Sequence, residues 1–215
     1  MTRITLIAAA ALVVVTVVIA RQFGGGVPDH ATGETVTSAA GTRGPEIESA
    51  GLCPWRSPVE DREALFPGAD RAEQHLLILS DLRLEVLRHL DPGAVIDANG
   101  IYSYRVFRGN ERAGTVFTQR VRGEYGALEY VLAMGRDGRI AGLRLQSLRE
   151  PNATARALES PTWRQAFVGK TMDSPLRLGL DLPQVPTAAQ PTTEALLVSL
   201  RRLVAEATVA QARGR

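Results

Sequence analysis

A chain of 215 residues with 45% hydrophobic and 22% charged content holds one sizeable domain plus an appendage. Its formal net charge of +2 is too small for a nucleic-acid surface, and the single cysteine, Cys53, excludes an intrachain disulfide framework, a four-cysteine zinc site and a CxxCH haem attachment. Of the 25 basic residues only Lys170 is lysine, an arginine bias that singles out this one amine.

At the N-terminus, Ile4 to Ala20 is uncharged and almost wholly apolar, bracketed by Arg3 and Arg21. A spanning helix takes roughly 17 to 25 residues and a signal-peptide core about 7 to 15, so the length predicts an uncleaved transmembrane anchor over residues 1–21. Val18-Ile19-Ala20 could serve as a cleavage site, which leaves a signal peptide as the alternative. Both readings export the rest of the chain and place a single-pass protein's domain on the periplasmic or extracytoplasmic side. Residues 22–46 are rich in Gly, Ser, Thr and Ala without an apolar period, the composition of a flexible tether, and the domain is expected over 47–215. Cys53 follows Leu52 far from the apolar core, which makes it an ordinary thiol rather than a lipid-modified one. His30, His75 and His89 have no ligand-like spacing, so no metal site is expected.

Leu79, Leu82, Val86 and Leu90 recur at helical intervals and predict an amphipathic helix between Asp70 and Leu90, ended by Asp91-Pro92-Gly93. Two alternating runs follow, Ile101 to Arg108 and Thr115 to Val121, joined by a loop from Arg108 to Gly114. Gly123 to Pro151 reads as a further hairpin. Its first arm sets Leu128, Tyr130, Leu132 and Met134 against Ala127, Glu129, Val131 and Ala133, and its second alternates Leu143 and Leu145 with Arg144 and Gln146. Asp137-Gly138 between them supplies the positive backbone angles of a tight turn. Four antiparallel strands are therefore expected before Pro151. Beyond it, Ser160-Pro161 marks a short helix holding Trp163 and Phe167, and a last helix begins at Thr192 or Thr193 with Leu196, Leu197, Leu200, Leu203, Val204 and Ala207 on one stripe. The fold class is α+β: an antiparallel sheet of hairpins packed with an N-terminal and a C-terminal helix, preceded by one transmembrane helix. The stretch PTAAQPTT brings hydroxyls and backbone N–H groups to a helix start, which is either an ordinary cap or a phosphate cradle.

Taken in order, GEYGALEYVLAMGRDGRIAGLRLQSLREP, SPTWRQAFVGK and TAAQPTTEAL resemble the FMN-binding domain. That domain occurs in the G subunit of the Rnf electron-transport complex, the C subunit of sodium-pumping NADH:quinone reductase and the periplasmic part of the nitrous-oxide-reductase regulator. The similarity spans roughly Asp91 to Ala205. Gly123, Tyr125 and Gly126 resemble the family's glycine-rich loop, Glu150-Pro151 its elbow beside the flavin, and Trp163, Phe167, Gly169 and Lys170 its aromatic helix ending in Gly-Lys.

In members with covalent FMN, the last threonine of a Ser/Thr-Gly-Ala-Thr motif carries the FMN phosphate. The same register lays Thr187, Ala188, Ala189 and Gln190 on the motif, with Thr192 and Thr193 as the pair that follows. Gln190 then stands in place of the acceptor, and an amide cannot replace a hydroxyl nucleophile, so covalent attachment is not expected. The resemblance implies an electron carrier or an accessory of a membrane redox complex in the membrane. Any FMN is then noncovalent, held by Tyr125, Gly126, Glu150, Pro151, Trp163, Phe167, Lys170, Thr187, Gln190, Thr192 and Thr193. The alternative is a flavin-free interaction or assembly module that keeps the fold. No Ser/His/Asp or paired-carboxylate constellation marks an independent enzyme.

Overall fold

The computed structural model describes residues 57–214. The expected anchor and tether, with His30 and Cys53, lie outside the described residues. Among those described, no helix is long and apolar enough to cross a membrane.

A five-stranded antiparallel sheet runs in simple sequence order, β1 (Arg71–Ile78), β2 (Gly100–Arg108), β3 (Glu111–Arg122), β4 (Ala127–Gly135) and β5 (Ile140–Leu148). Helices are α1 (Arg62–Leu65), α2 (Arg83–Leu87), α3 (Asn152–Glu159), α4 (Pro161–Gln165) and α5 (Gln190–Ala212), with short 3-10 turns at Pro58–Asp61 and Thr187–Ala189. The α+β class expected from the sequence is therefore present.

The hairpin of β4 and β5 forms as the alternation requires. Leu128, Tyr130, Leu132 and Met134 are fully buried on the face covered by α5, together with Leu196, Leu200 and Leu203. Val131 and Ala133 point to the opposite face, where they meet Leu65, Phe66, Val106 and Val116 in a second, smaller core. The space on that side is tight: a Cβ on Gly114 would lie 2.4 Å from Phe66 Cζ, so the strand passes beneath α1 only as glycine. The buried Asp61 closes this layer, pairing with Arg144 at 2.9 Å and accepting a hydrogen bond from Gln146 Nε2 at 2.9 Å.

Two expectations are corrected. The span from Asp70 to Leu90 is not one helix: Arg71–Ile78 is strand β1, paired from Arg71↔Phe107 to Ile78↔Gly100, and only Arg83–Leu87 is helical. The sheet accordingly has five strands, not four. The leucine spacing is genuine, since Leu79, Leu82 and Val86 are all buried in the main core, but it straddles a strand end and one helical turn. The loop between β2 and β3 is also shorter than expected. It is a turn at Gly109-Asn110, with Gly109 at φ 58° and its N–H bonded to Asp70 Oδ2 at 3.0 Å; a register shift at Val106/Phe107 had hidden the start of β3.

Candidate functional site

The expected site residues separate into three places. At one corner, the loop Gly123–Gly126 between β3 and β4 meets Glu150, just beyond β5, and Thr192 in the first turn of α5. The loop closes on itself through Gly123 N–H to Gly126 O at 2.7 Å. Thr192 Oγ1 then accepts the N–H of Glu124 at 2.9 Å, and Glu150 Oε1 accepts the N–H of Tyr125 at 3.2 Å. Only glycine fits at 123, because a Cβ there would stand 2.3 Å from Glu150 Oε1 and 3.0 Å from Thr192 Oγ1. Gly126 is similarly pressed, with its Cβ position 2.7 Å from Arg149 Cβ.

The inner side of the corner is buried and carries a carboxylate. Thr192 and Thr193 are fully buried and Glu150 nearly so, and the second carboxylate oxygen of Glu150 has no hydrogen-bond partner among the described residues. The loop itself is open to solvent, with Glu124 exposed and Tyr125 50% exposed. Pro151, with φ −54°, leads into α3, which packs on the Thr187–Ala189 turn and so ties the elbow to the start of α5.

That helix begins two or three residues earlier than expected, at Gln190, with Pro191 in its first turn where a missing N–H costs nothing. Gln190 is half-buried and Thr187 is exposed. The two hydroxyls after them are already used. Thr193 donates to Ala189 O at 2.6 Å, and Thr192 is the acceptor for Glu124.

Trp163 and Phe167 lie elsewhere, in the main core. Ser160 caps α4 through the N–H of Trp163 at 3.3 Å, as its position before Pro161 predicts. One turn apart, the two rings meet edge to face at 4.6 Å and 69°, with Trp163 2% exposed and Phe167 fully buried.

Lys170 occupies the third place. Its carbonyl accepts the N–H of Ile140 at 2.8 Å, which sets it at the start of β5, whereas Glu150 follows the end of that strand. Nine strand residues span roughly 30 Å, beyond the reach of a lysine side chain. The amine is bound instead to Asp181 at 3.1 Å. Asp181 also accepts the N–H groups of Leu176 at 3.2 Å and Arg177 at 2.7 Å. Burial opposes its charge, but these hydrogen bonds and the lysine hold its carboxyl below the usual aspartate range. The same bonds fix Leu176 at φ 46°, a backbone angle that a leucine adopts only when its surroundings impose it.

A buried polar network, missed by the sequence reading, joins α5 to the sheet. Tyr130 and Ser199 share a hydrogen bond of 2.8 Å inside the core, and burial pushes the phenol above its ordinary range against the opposing effect of that bond. Glu206, 2% exposed, lies 3.9 Å from Arg202 Nε. Burial pushes its carboxyl up to about 7; Arg202 pulls it back and Asp97 adds to the rise. Beside this network, a cleft of about 440 Å³ is lined by Arg120, Arg201, Arg202, Val121 and Val198 among others. Among the described residues no group of His, Cys, Asp and Glu could hold a metal ion.

Comparison with protein-family models and with curated proteins finds no match to this chain.

Proposed function

We propose that this chain is an exported, membrane-tethered accessory module that keeps an FMN-binding-type fold without a flavin and serves a membrane redox complex through protein contacts. The observation that carries the reading is the state of the corner. At the helix start where a phosphate is expected, the hydroxyl of Thr192 already accepts the N–H of Glu124 and that of Thr193 donates to Ala189 O, while Glu150 holds the N–H of Tyr125. The buried carboxylate of Glu150 stands at the same corner, and a phosphate brought against it would meet a like charge. Trp163 and Phe167, the aromatic pair expected against the ring, are instead packed in the core. Gln190 at the head of α5 offers no hydroxyl for covalent attachment. These residues do not fit FMN in the pose that the resemblance implies.

The second reading, a carrier with noncovalent FMN, is favoured by one feature, the half-exposed ring of Tyr125 next to Gly126, which offers a flat apolar surface at the corner. Titration of FMN into the full-length chain, followed by flavin fluorescence, separates the two. The accessory reading predicts no saturable quenching, and micromolar binding abolished by Tyr125→Ala would replace it with the carrier.

A further inference from the structure

We infer that the cleft between the C-terminal half of α5 and strands β1 to β3 binds a small oxyanion carrying a compact apolar body. This cleft, of about 360 Å³, lies within the size range of small-molecule sites. Its floor is apolar, built from Leu77, Phe117, Ala207 and Ala210, and its wall is basic, built from His75, Arg105 and Arg112. No role already assigned to the fold uses this wall.

The positive charge there is poorly answered. Among the described residues Arg105 has no ion-pair partner. The cross-strand neighbour of Arg105, Glu73, is bound to Arg71 instead. Arg112 is held by neutral groups, donating to Thr115 Oγ1 at 2.5 Å and Gly114 O at 3.5 Å. His75 Nε2 is buried without a hydrogen-bond partner, 3.8 Å from Glu73 Oε2, which is too far for one. The only carboxylate among the lining residues is Asp81, which is engaged by Ser80.

Burial and the neighbouring positive charges act on these groups in the same direction. Burial and then Arg105 and Arg136 lower the Arg112 guanidinium from its usual value, while burial and then Arg105 and Arg112 lower the His75 imidazole. A carboxylate or phosphate between the two guanidiniums would answer both and accept a hydrogen bond from a neutral His75, while the floor removes an apolar body from water. This site stands independently of the flavin question, since it lies at the far end of α5 from Gln190.

Benzoate is the probe, titrated into the full-length chain by calorimetry beside benzylammonium, which reverses the charge, and inorganic phosphate, which lacks the apolar body. Saturable benzoate binding is expected, with benzylammonium silent and phosphate weaker. Arg105→Gln should weaken benzoate roughly tenfold or more while leaving the thermal midpoint of the free protein unchanged or higher, because it removes a repulsion and no hydrogen bond. Arg112→Gln should weaken it similarly, but it also breaks the Thr115 bond, so Arg105→Gln is the decisive variant. Absence of saturable benzoate binding, unchanged affinity in a folded Arg105→Gln, or equal binding of benzylammonium would overturn the site. Equal binding of phosphate would overturn the apolar half of the assignment.

Discussion

Thr192 Oγ1 accepts the backbone N–H of Glu124 at 2.9 Å, so the first turn of α5 is stitched to a loop 68 residues earlier in the chain. The bond is part-buried, its acceptor Thr192 fully buried and its donor on the exposed residue Glu124. Replacing Thr192 with valine keeps the shape but removes the acceptor of this bond, and should cost roughly 1 kcal/mol in urea denaturation. Thr192→Ser should cost less. Equal stability of the valine variant would mean that the loop is not held by this bond.

Gly123 is fixed by the same corner from the other side. Gly123→Ala places a methyl group on Glu150 Oε1 and should destabilise by about 1–3 kcal/mol, the usual cost of overpacking. Combining it with Glu150→Ala should recover part of that loss, because the obstacle is then gone. A double-mutant cycle reads the coupling, and strictly additive losses would place the clash elsewhere.

How much of this was legible in the sequence follows from the distance over which each feature is set. The β4–β5 hairpin rests on local alternation and an Asp-Gly turn, and it forms as read, with Gly138 at φ 75°. The helix α4 was marked by adjacent residues, Ser160 and Pro161. Strand β1 was hidden because its partner β2 begins more than twenty residues later, while Leu79, Leu82 and Val86 imitate a helical stripe. Among the candidate residues, Gly123, Glu150 and Thr192 were singled out separately, but nothing in their spacing says that they bond to one another. Lys170 shows the converse, since adjacency to Gly169 in a motif says nothing of which end of β5 it occupies. Arg105 and Arg112 straddle the Gly109-Asn110 turn, so a hairpin register would have brought them near each other had the bulge at Val106/Phe107 been foreseen.

Asp181 should matter more than its lysine. Asp181→Ala removes three hydrogen bonds to one carboxylate and releases the positive φ of Leu176, for an expected loss of about 2–3 kcal/mol. Lys170→Met should cost less, since the two backbone N–H groups still hold the carboxylate. The depressed carboxyl contributes stability that is present above its unfolded pKa and lost as pH falls through the lower folded value. Acid titration of the wild type against Asp181→Ala checks the sign. A larger loss in Lys170→Met than in Asp181→Ala would show that the amine, not the carboxylate, organises this loop.

Glu206 gives the opposite pH dependence. Its folded value of about 7 lies above the ordinary 4.5, so the folded chain holds a proton that the unfolded chain has released between those values. Stability from this group is therefore greatest below pH 4.5 and falls as pH rises to 7, by roughly 3 kcal/mol at most. Glu206→Gln should flatten that part of the curve and be the more stable protein at pH 8. Parallel pH curves for the two proteins would show that Glu206 is not perturbed by burial.

In the proposed reading the glycine corner is a closed latch and not a flavin cradle. The visible absorption spectrum of the full-length chain, produced alongside a flavin transferase with ample FMN and purified without denaturation, tests it most directly. The account predicts a colourless protein whose intact mass after denaturation carries no added FMN. A stoichiometric flavin band, or a covalent FMN adduct on Thr187, Thr192 or Thr193, would contradict it.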